Sequence, residues 1–114
     1  MQAAFFVYIL RCADGPYYVG SHRGTDVEDR VHEHNSGEFP KAYTYKRRPV
    51  ELMWSQSWGE ADPAIEAEIQ IKRWTRAKKE ALIRGDIGEL KRLARSRTAP
   101  ADPGKARFPK VNKD

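Results

Sequence analysis

Five polar side chains in this chain are of types that take part in phosphate chemistry: Tyr8, Tyr18, Arg30, His34 and Glu68. A single carboxylate, completed by water and phosphate oxygens, is enough to hold Mg²⁺. An arginine can stabilise charge that develops on a phosphate, and a tyrosine or histidine can move the proton of an attacking water. The combination indicates phosphodiester hydrolysis, provided that the fold brings the five side chains together.

The two tyrosines lie in apolar runs on either side of the turn sequence Asp14-Gly15-Pro16. The pattern predicts a strand over residues 5–11, buried on both faces, and a returning strand over residues 17–21. The two strands should form an antiparallel hairpin. Phenylalanine or valine would fill such strands equally well, so a purely structural role for both tyrosines remains an alternative.

The arginine and the histidine share one side of a predicted helix. At about 100° per residue, with Val27 taken as 0°, His34 falls at about −20° on the apolar stripe and Arg30 at about −60° on its border. His32 falls at about 140° and should face solvent. A lone histidine on an apolar face is ordinarily a hydrogen-bonded core residue, but an arginine on the same face weakens that interpretation.

Glu68 lies on a second predicted helix. With Ile65 taken as 0°, Glu68 falls at about −60°, inside the apolar arc, whereas Glu66 falls outside it at about 100°. A carboxylate that faces a core is costly unless it is paired or binds a metal. An ion pair with Lys72, one turn further along, is the alternative to a metal site, and both remain open.

The elements that carry these residues follow the order β-β-α-β-α-α with one more short helix. Pro49 opens the predicted third strand, and helix starts are predicted at a Thr25/Glu28 capping box, Asp62-Pro63, Thr75 and Asp86. This order predicts an α+β domain over residues 1–96, a three-stranded antiparallel sheet with flanking helices. Residues 97–114 hold three prolines and more basic than acidic residues, which predicts a basic, disordered tail.

The composition excludes several classes of protein. The 114-residue chain has one cysteine, Cys12, which rules out an internal disulfide. No apolar run approaches the ~20 residues of a membrane span, and the N-terminus lacks the basic region of a signal peptide, so we expect a cytoplasmic protein without a membrane partner.

The formal net charge of +5 favours a polyanionic partner. Candidate nucleic-acid contacts cluster before the third strand and near a helix junction, at Lys46, Arg47, Arg48, Arg73 and Arg76, with Lys78 and Lys79 beside the last two. Ordinary solvated charge accounts equally well for each cluster taken alone.

Several separated motifs together resemble those of the GIY-YIG nuclease superfamily. They are Phe6-Val7-Tyr8, Tyr18-Val19-Gly20, Arg30, His34-Asn35-Ser36-Gly37, "AYTYKRRPVEL" and "AEIQIKRWTRAKKEALI". The resemblance extends over roughly residues 5–84 and is greatest to the small single-domain bacterial branch called UPF0213 or YhbQ-like.

The resemblance implies cleavage of nucleic acid with one divalent metal ion, Mg²⁺ or Mn²⁺. Tyr8 and Tyr18 match the motif tyrosines that position the water and assist proton transfer, and Arg30 matches the arginine that contacts the scissile phosphate. His34 matches a position held by histidine or tyrosine, and Glu68 matches the metal-binding glutamate. We expect Gly20, Asn35 and Lys72 to support the site.

Two features depart from the family pattern. The glycine of the first motif is Phe6, and the segment 21–29 is about two residues longer than in better-known relatives.

The expected function is a structure-selective DNA endonuclease in repair or recombination, with specificity supplied by substrate shape or a protein partner. RNA is a further possible substrate, and the alternative is a catalytically weak module that binds nucleic acid or a partner protein.

Overall fold

The sheet is built around the predicted hairpin. In the computed structural model, which describes residues 3–95, β1 (Ala4–Arg11) pairs antiparallel with β2 (Tyr17–Gly24). β2 extends three residues beyond the predicted Ser21. Gly15 in the turn has a φ of 110°, a conformation that glycine adopts without steric cost. β3 (Glu51–Trp58) pairs antiparallel with the other edge of β1, so the order is β2-β1-β3 and β1 is the central strand.

Four helices complete the described part of the chain and confirm the α+β fold. They are α1 (Val27–Ser36), α2 (Ala61–Lys72), α3 (Arg76–Arg84) and α4 (Ile87–Arg95). A single 3₁₀ turn at Tyr45–Arg47, which the sequence did not predict, lies in the loop before β3. Within residues 3–95, none of the helices is both long and apolar enough to span a bilayer.

The two faces of β1 are covered by different helices. Val7 and Ile9 belong to a core cluster that includes buried residues of α2, α3 and α4. Tyr8 and Leu10 point to the opposite face and share a second cluster with Val27 of α1. Because neighbouring residues of a strand alternate between faces, Tyr8 is directed toward α1.

The starts of two helices differ from the predictions. The Asp26 side chain caps α1 by accepting a hydrogen bond from the Glu28 amide (2.9 Å), so the cap predicted at Thr25 is wrong. α2 begins at Ala61, one residue before the predicted Asp62 cap. Pro63 consequently lies in the first turn, where its missing N–H leaves no helical hydrogen bond unmade.

The buried side of α2 is not the one that Ile65 and Ile69 indicate. Ile65 and Ile69 are 50% and 52% exposed, whereas Ala64, Ala67 and Ile71 are buried. The short alanine side chains allow the helix to lie close to the sheet. The prediction that Ile65 faces the core is therefore wrong, yet Glu68 still borders the true buried face, with its side chain 18% exposed.

Candidate active site

A pocket of roughly 320 Å³ lies where the hairpin, α1 and α2 meet. All five side chains singled out from the sequence line it, together with four further residues: Gly20, Ser21, Phe39 and Ala42. The structure therefore brings together the tyrosines of the hairpin, the arginine and histidine of α1 and the glutamate of α2. Their chemical roles stay predictions.

Tyr8 is only 2% exposed, and its phenol oxygen is hydrogen-bonded to His34 Nε2 at 3.1 Å. Burial raises the pKa of the Tyr8 phenol above its ordinary range, and the neighbouring Tyr18 raises it further. Tyr8 therefore keeps its proton at neutral pH.

Gly20 stands opposite Tyr8 in the hairpin register. A Cβ at this position would lie 2.6 Å from the Tyr8 phenol oxygen and 3.0 Å from the Tyr18 ring. The absence of a side chain at Gly20 thus makes room for both tyrosines, which is a physical reason for the predicted supporting role.

Tyr18 is half-buried and lies among aromatic rings at the mouth of the pocket. Its ring centroid is 5.5 Å from that of His34 and 6.5 Å from that of Tyr8. Tyr43, from the loop before β3, stacks on Tyr18 with centroids 6.1 Å apart and 14° between the ring planes. The Tyr18 ring is consequently in contact with three other rings.

His34 is 5% exposed and is held at both ring nitrogens. Its Nδ1 lies 2.8 Å from the Thr44 hydroxyl, while its Nε2 contacts Tyr8. Burial lowers the pKa of the His34 imidazole, and the nearby Arg30 charge lowers it further, so the ring is neutral near neutral pH. A neutral imidazole has one donor and one acceptor nitrogen, and each finds a hydroxyl partner here.

Thr44 was missed by the sequence reasoning, although it is 1% exposed and belongs to the site's hydrogen-bond network. It lies in a polar loop with no strand or helix periodicity, so no pattern marked it as buried. Its position within the family-like segment "AYTYKRRPVEL" was the available signal.

Arg30 is oriented by three neighbours. Its Nε donates to His22 Nδ1 at 3.3 Å, and its Nη1 lies 3.4 Å from the Glu33 carboxylate. The guanidinium carbon is 5.2 Å from the Phe39 ring centroid. His22, on the part of β2 that the sequence did not predict, is a second positioning residue that was missed.

Glu68 is positioned by α2 at the pocket wall. Its Oε2 lies 3.0 Å from Lys72 Nζ, so the ion pair considered from the sequence does form. The Lys72 side chain is 53% exposed, however, and a pair open to water is weak and easily exchanged. The carboxylate is thus accessible from the pocket and is not sealed in a dry pair.

The residues fit a metal ion held by one carboxylate. Within residues 3–95 there is no group of three or more His, Cys, Asp and Glu side chains placed to share a metal. Mg²⁺ commonly uses one or two carboxylates and completes its shell with water and substrate phosphate, and Glu68 on an open pocket wall suits that arrangement.

Asn35 does not line the pocket but fixes the helix that carries Arg30 and His34. Its side-chain amide donates to the Val50 carbonyl at 3.0 Å and accepts from the Val50 amide at 2.7 Å. The end of α1 is thereby tied to the chain entering β3, which follows a cis Arg48–Pro49 peptide bond.

Most of the predicted nucleic-acid contacts are already engaged within the protein. Arg47 pairs with Asp14 (3.3 Å), Arg48 donates to the Tyr45 carbonyl (2.7 Å), and Arg76 bonds Glu80 and the Gly15 carbonyl (both 3.1 Å). The side chains of Lys46 and Arg73 are exposed and make no ion pair or hydrogen bond within residues 3–95. These two cations are the ones most available to a phosphate backbone.

A family model described as the GIY-YIG catalytic domain matches residues 4–81. The chain therefore belongs to the GIY-YIG family, a nuclease family whose members generally act on nucleic acid and use divalent metal ions. The predicted resemblance is confirmed.

The chain is of the small UPF0213 type within that family. It is 43% identical over 88 residues to a UPF0213 protein of Natronomonas pharaonis, covering 77% of this chain and 100% of that protein. It is 46% identical over 76 residues to one of Halobacterium salinarum (67% and 95%) and 43% identical over 79 residues to one of Staphylococcus aureus (69% and 93%). The name UPF0213 specifies neither a substrate nor a metal.

Two solved structures are similar. The solution NMR structure of a UPF0213 protein from Bacillus halodurans is 32% identical, covers 84% of this chain and 99% of its own, and superposes with a TM-score of 0.47. The solution NMR structure of an E. faecalis protein is 30% identical, covers 90% and 100%, and has a TM-score of 0.49.

Proposed function

We propose that this protein is a Mg²⁺- or Mn²⁺-dependent endonuclease that hydrolyses phosphodiester bonds of DNA, selects its substrate by structure and acts in repair or recombination in the cytoplasm. The observation that carries the proposal is the shared pocket, where two tyrosines, an arginine, a histidine and a glutamate line one cavity. A protein partner that supplies further specificity is part of the proposal.

In this proposal, Arg30 and Glu68 together stabilise the negative charge on the scissile phosphate. The Arg30 guanidinium, already oriented by His22 and Glu33, directs its remaining N–H groups at the scissile phosphate. Glu68 would hold the metal ion, which supplies Lewis-acid stabilisation of negative charge on the phosphate. Lys72 releases Glu68 by moving into solvent, because the lysine is more than half exposed.

In this proposal, Tyr8 and His34 take up the proton of the attacking water. The raised pKa of Tyr8 excludes a stable phenolate as the base. Tyr8 can instead accept the water proton on its oxygen while it passes its own proton to His34 Nε2, provided that the imidazole proton lies on Nδ1 and is donated to Thr44. Tyr18, at the pocket mouth, positions the water.

A cleavage assay with matched variants tests the proposal. The purified protein is incubated with linear, nicked, flapped and branched DNA and with RNA, in Mg²⁺, Mn²⁺ or EDTA. Glu68→Gln should lower cleavage by roughly 10²-fold or more because it removes the metal-binding carboxylate. Glu66→Gln changes an exposed carboxylate two residues away and should leave cleavage intact. Equal rates for the two variants would refute the metal assignment.

The Glu68–Lys72 ion pair favours a second candidate, a binding module without significant turnover, because a site without metal would retain that pair. Binding of nucleic acid by the wild type and by Glu68→Gln with equal affinity, and no cleavage of any substrate with either metal, would establish this second function in place of the first.

A further inference from the structure

The exposed large hydrophobic side chains of the described residues are Tyr43, Ile65 and Ile69, with 46%, 50% and 52% of their surfaces exposed. Tyr43 contacts a pocket-lining residue, and the two isoleucines share helix α2 with another. Tyr43 stacks on Tyr18, while Ile65 and Ile69 lie on α2 three residues before and one residue after Glu68. We call these three side chains the pocket rim.

Positive charge accompanies both parts of the pocket rim. The Arg47 guanidinium carbon lies 4.1 Å from the Tyr43 ring centroid, and the exposed Lys46 precedes it in the chain. Lys72, three residues after Ile69, is the last residue of α2, and Arg73 is its C-cap. Aromatic or apolar surface interleaved with basic side chains is the pattern by which proteins hold unpaired nucleic acid.

We infer that the pocket rim binds unpaired nucleotides of a DNA strand next to the scissile phosphate, an inference that rests on the proposed nuclease function. A base-paired duplex presents phosphates and sugars to a protein and keeps the faces of its bases stacked inside. Exposed apolar side chains such as these gain little from such a surface. The faces of unpaired bases, by contrast, stack on tyrosine rings and guanidinium planes and pack against isoleucine.

The Tyr43 side of the rim is prepared for stacking. The Tyr18 ring lines the pocket, the Tyr43 ring lies parallel to it, and Arg47 lies against Tyr43 and is itself held by Asp14. These contacts restrict the Tyr43 ring before any ligand arrives, which lowers the entropy lost on binding. The substrates selected are single strands, flaps and loops whose unpaired bases reach this ring from the phosphate held at Arg30.

A binding experiment in EDTA tests the inference without requiring turnover. Fluorescence anisotropy compares a labelled single strand of about 12 nucleotides with the same sequence as a duplex. The wild type should bind the single strand more tightly. Tyr43→Ser should weaken single-strand binding by about tenfold and leave duplex binding unchanged, whereas Tyr43→Phe, which keeps the ring, should bind as the wild type does. Replacing Ile65 and Ile69 together by serine should act in the same direction.

Salt dependence separates base contacts from phosphate contacts. Tyr43→Ser should retain the wild-type slope of log affinity against log salt, because no phosphate contact is lost, whereas Lys46→Ala should reduce that slope by about one. Equal loss of single-strand and duplex binding in Tyr43→Ser, or no loss of either, would overturn the inference. So would a wild-type dimer in sedimentation that Ile65→Ser converts to monomer, since the rim would then be a contact between copies.

The two proposals fail separately. If Glu68→Gln cleaves as the wild type does while Tyr43→Ser loses its preference for single strands, the metal assignment fails and the rim inference stands. If Glu68→Gln is inactive and Tyr43→Ser shows no selective loss, the nuclease stands and the rim inference fails.

Discussion

The hydroxyl of Thr44 fixes the orientation of His34 in the buried chain from Tyr8 to Thr44. Thr44→Val keeps the shape of the side chain but leaves His34 Nδ1 without a partner, so we expect a loss of about 1–3 kcal/mol in the free energy of unfolding. Cleavage should fall by about tenfold as well. Thr44→Ser, which restores the hydroxyl, should recover most of both. Urea unfolding and initial cleavage rates measure the two effects, and full activity in Thr44→Val would contradict this role.

The lowered pKa of His34 makes a prediction about acid stability. The unfolded chain binds the proton of this histidine more readily than the folded protein does. The contribution of His34 is therefore complete above its ordinary pKa of about 6.5 and is lost as the pH falls below that value. His34→Gln should flatten the acid side of the stability profile. His32→Gln, an exposed position on the same helix, is the control and should keep the wild-type slope.

Alanine substitutions at two glycines separate the space that the tyrosines require from the general effect of replacing a glycine. Gly20→Ala would place a methyl group 2.6 Å from the Tyr8 phenol oxygen and should cost about 1–3 kcal/mol in the free energy of unfolding. Gly59→Ala meets no atom within 4 Å and should change stability by no more than about 0.5 kcal/mol. Thermal unfolding of both variants compares them directly, and equal stabilities would show that the Gly20 site relaxes freely.

At the scale of elements, local signals predicted the fold better than they predicted its contacts. The caps expected at Thr75 and Asp86 are present, because a cap depends on residues only three positions apart. The buried face of α2 was misjudged, because hydrophobicity favoured Ile65 over the alanines that allow close packing. Such a choice depends on the sheet beneath the helix and is absent from the helix's own sequence.

The site itself was predictable where a polar residue interrupted an apolar pattern, as His34 does. Thr44 and His22 were not predictable in this way, because each acquires its role from a partner eight or more residues away in the chain. The same limit applies to Arg47, Arg48 and Arg76, whose sequence pattern is identical to that of free surface charge.

Asn35 couples two elements that the site needs, α1 and the entry to β3. Asn35→Ala removes both hydrogen bonds to Val50 and should lower the free energy of unfolding by about 2 kcal/mol. Asn35→Asp keeps the acceptor and should lose less. Hydrogen exchange at the Val50 amide should accelerate in Asn35→Ala. Ser36→Ala, which removes an exposed hydroxyl bonded within α1, is the matched control, and an equal loss there would argue against a specific tie.

At the scale of the molecule, the two faces of the central strand β1 have different roles, one in the core and one at the pocket. Its Val7 and Ile9 face a core that α2, α3 and α4 cover, and its Tyr8 faces the pocket beside α1. The pocket is therefore supported by a core that contains none of the side chains lining it. Replacements among the pocket residues should alter chemistry more than folding, except at the buried Tyr8, Gly20 and His34, which also contribute to stability.

The net charge of +5 acts through individual cations, and the structure separates those that are free from those that are engaged. The side chains of Lys46 and Arg73 are exposed and make no ion pair or hydrogen bond among the described residues, so Lys46→Ala and Arg73→Ala should each weaken DNA binding and lower the salt slope by about one. Arg48 donates to the Tyr45 carbonyl, and its guanidinium carbon lies 4.2 Å from the centroid of the Tyr45 ring. Arg48→Ala should therefore lower the free energy of unfolding and leave the salt slope near that of the wild type. Titrations at several salt concentrations, paired with urea unfolding, measure both quantities. A slope reduced as much in Arg48→Ala as in Lys46→Ala would mean that its internal contacts give way to a phosphate.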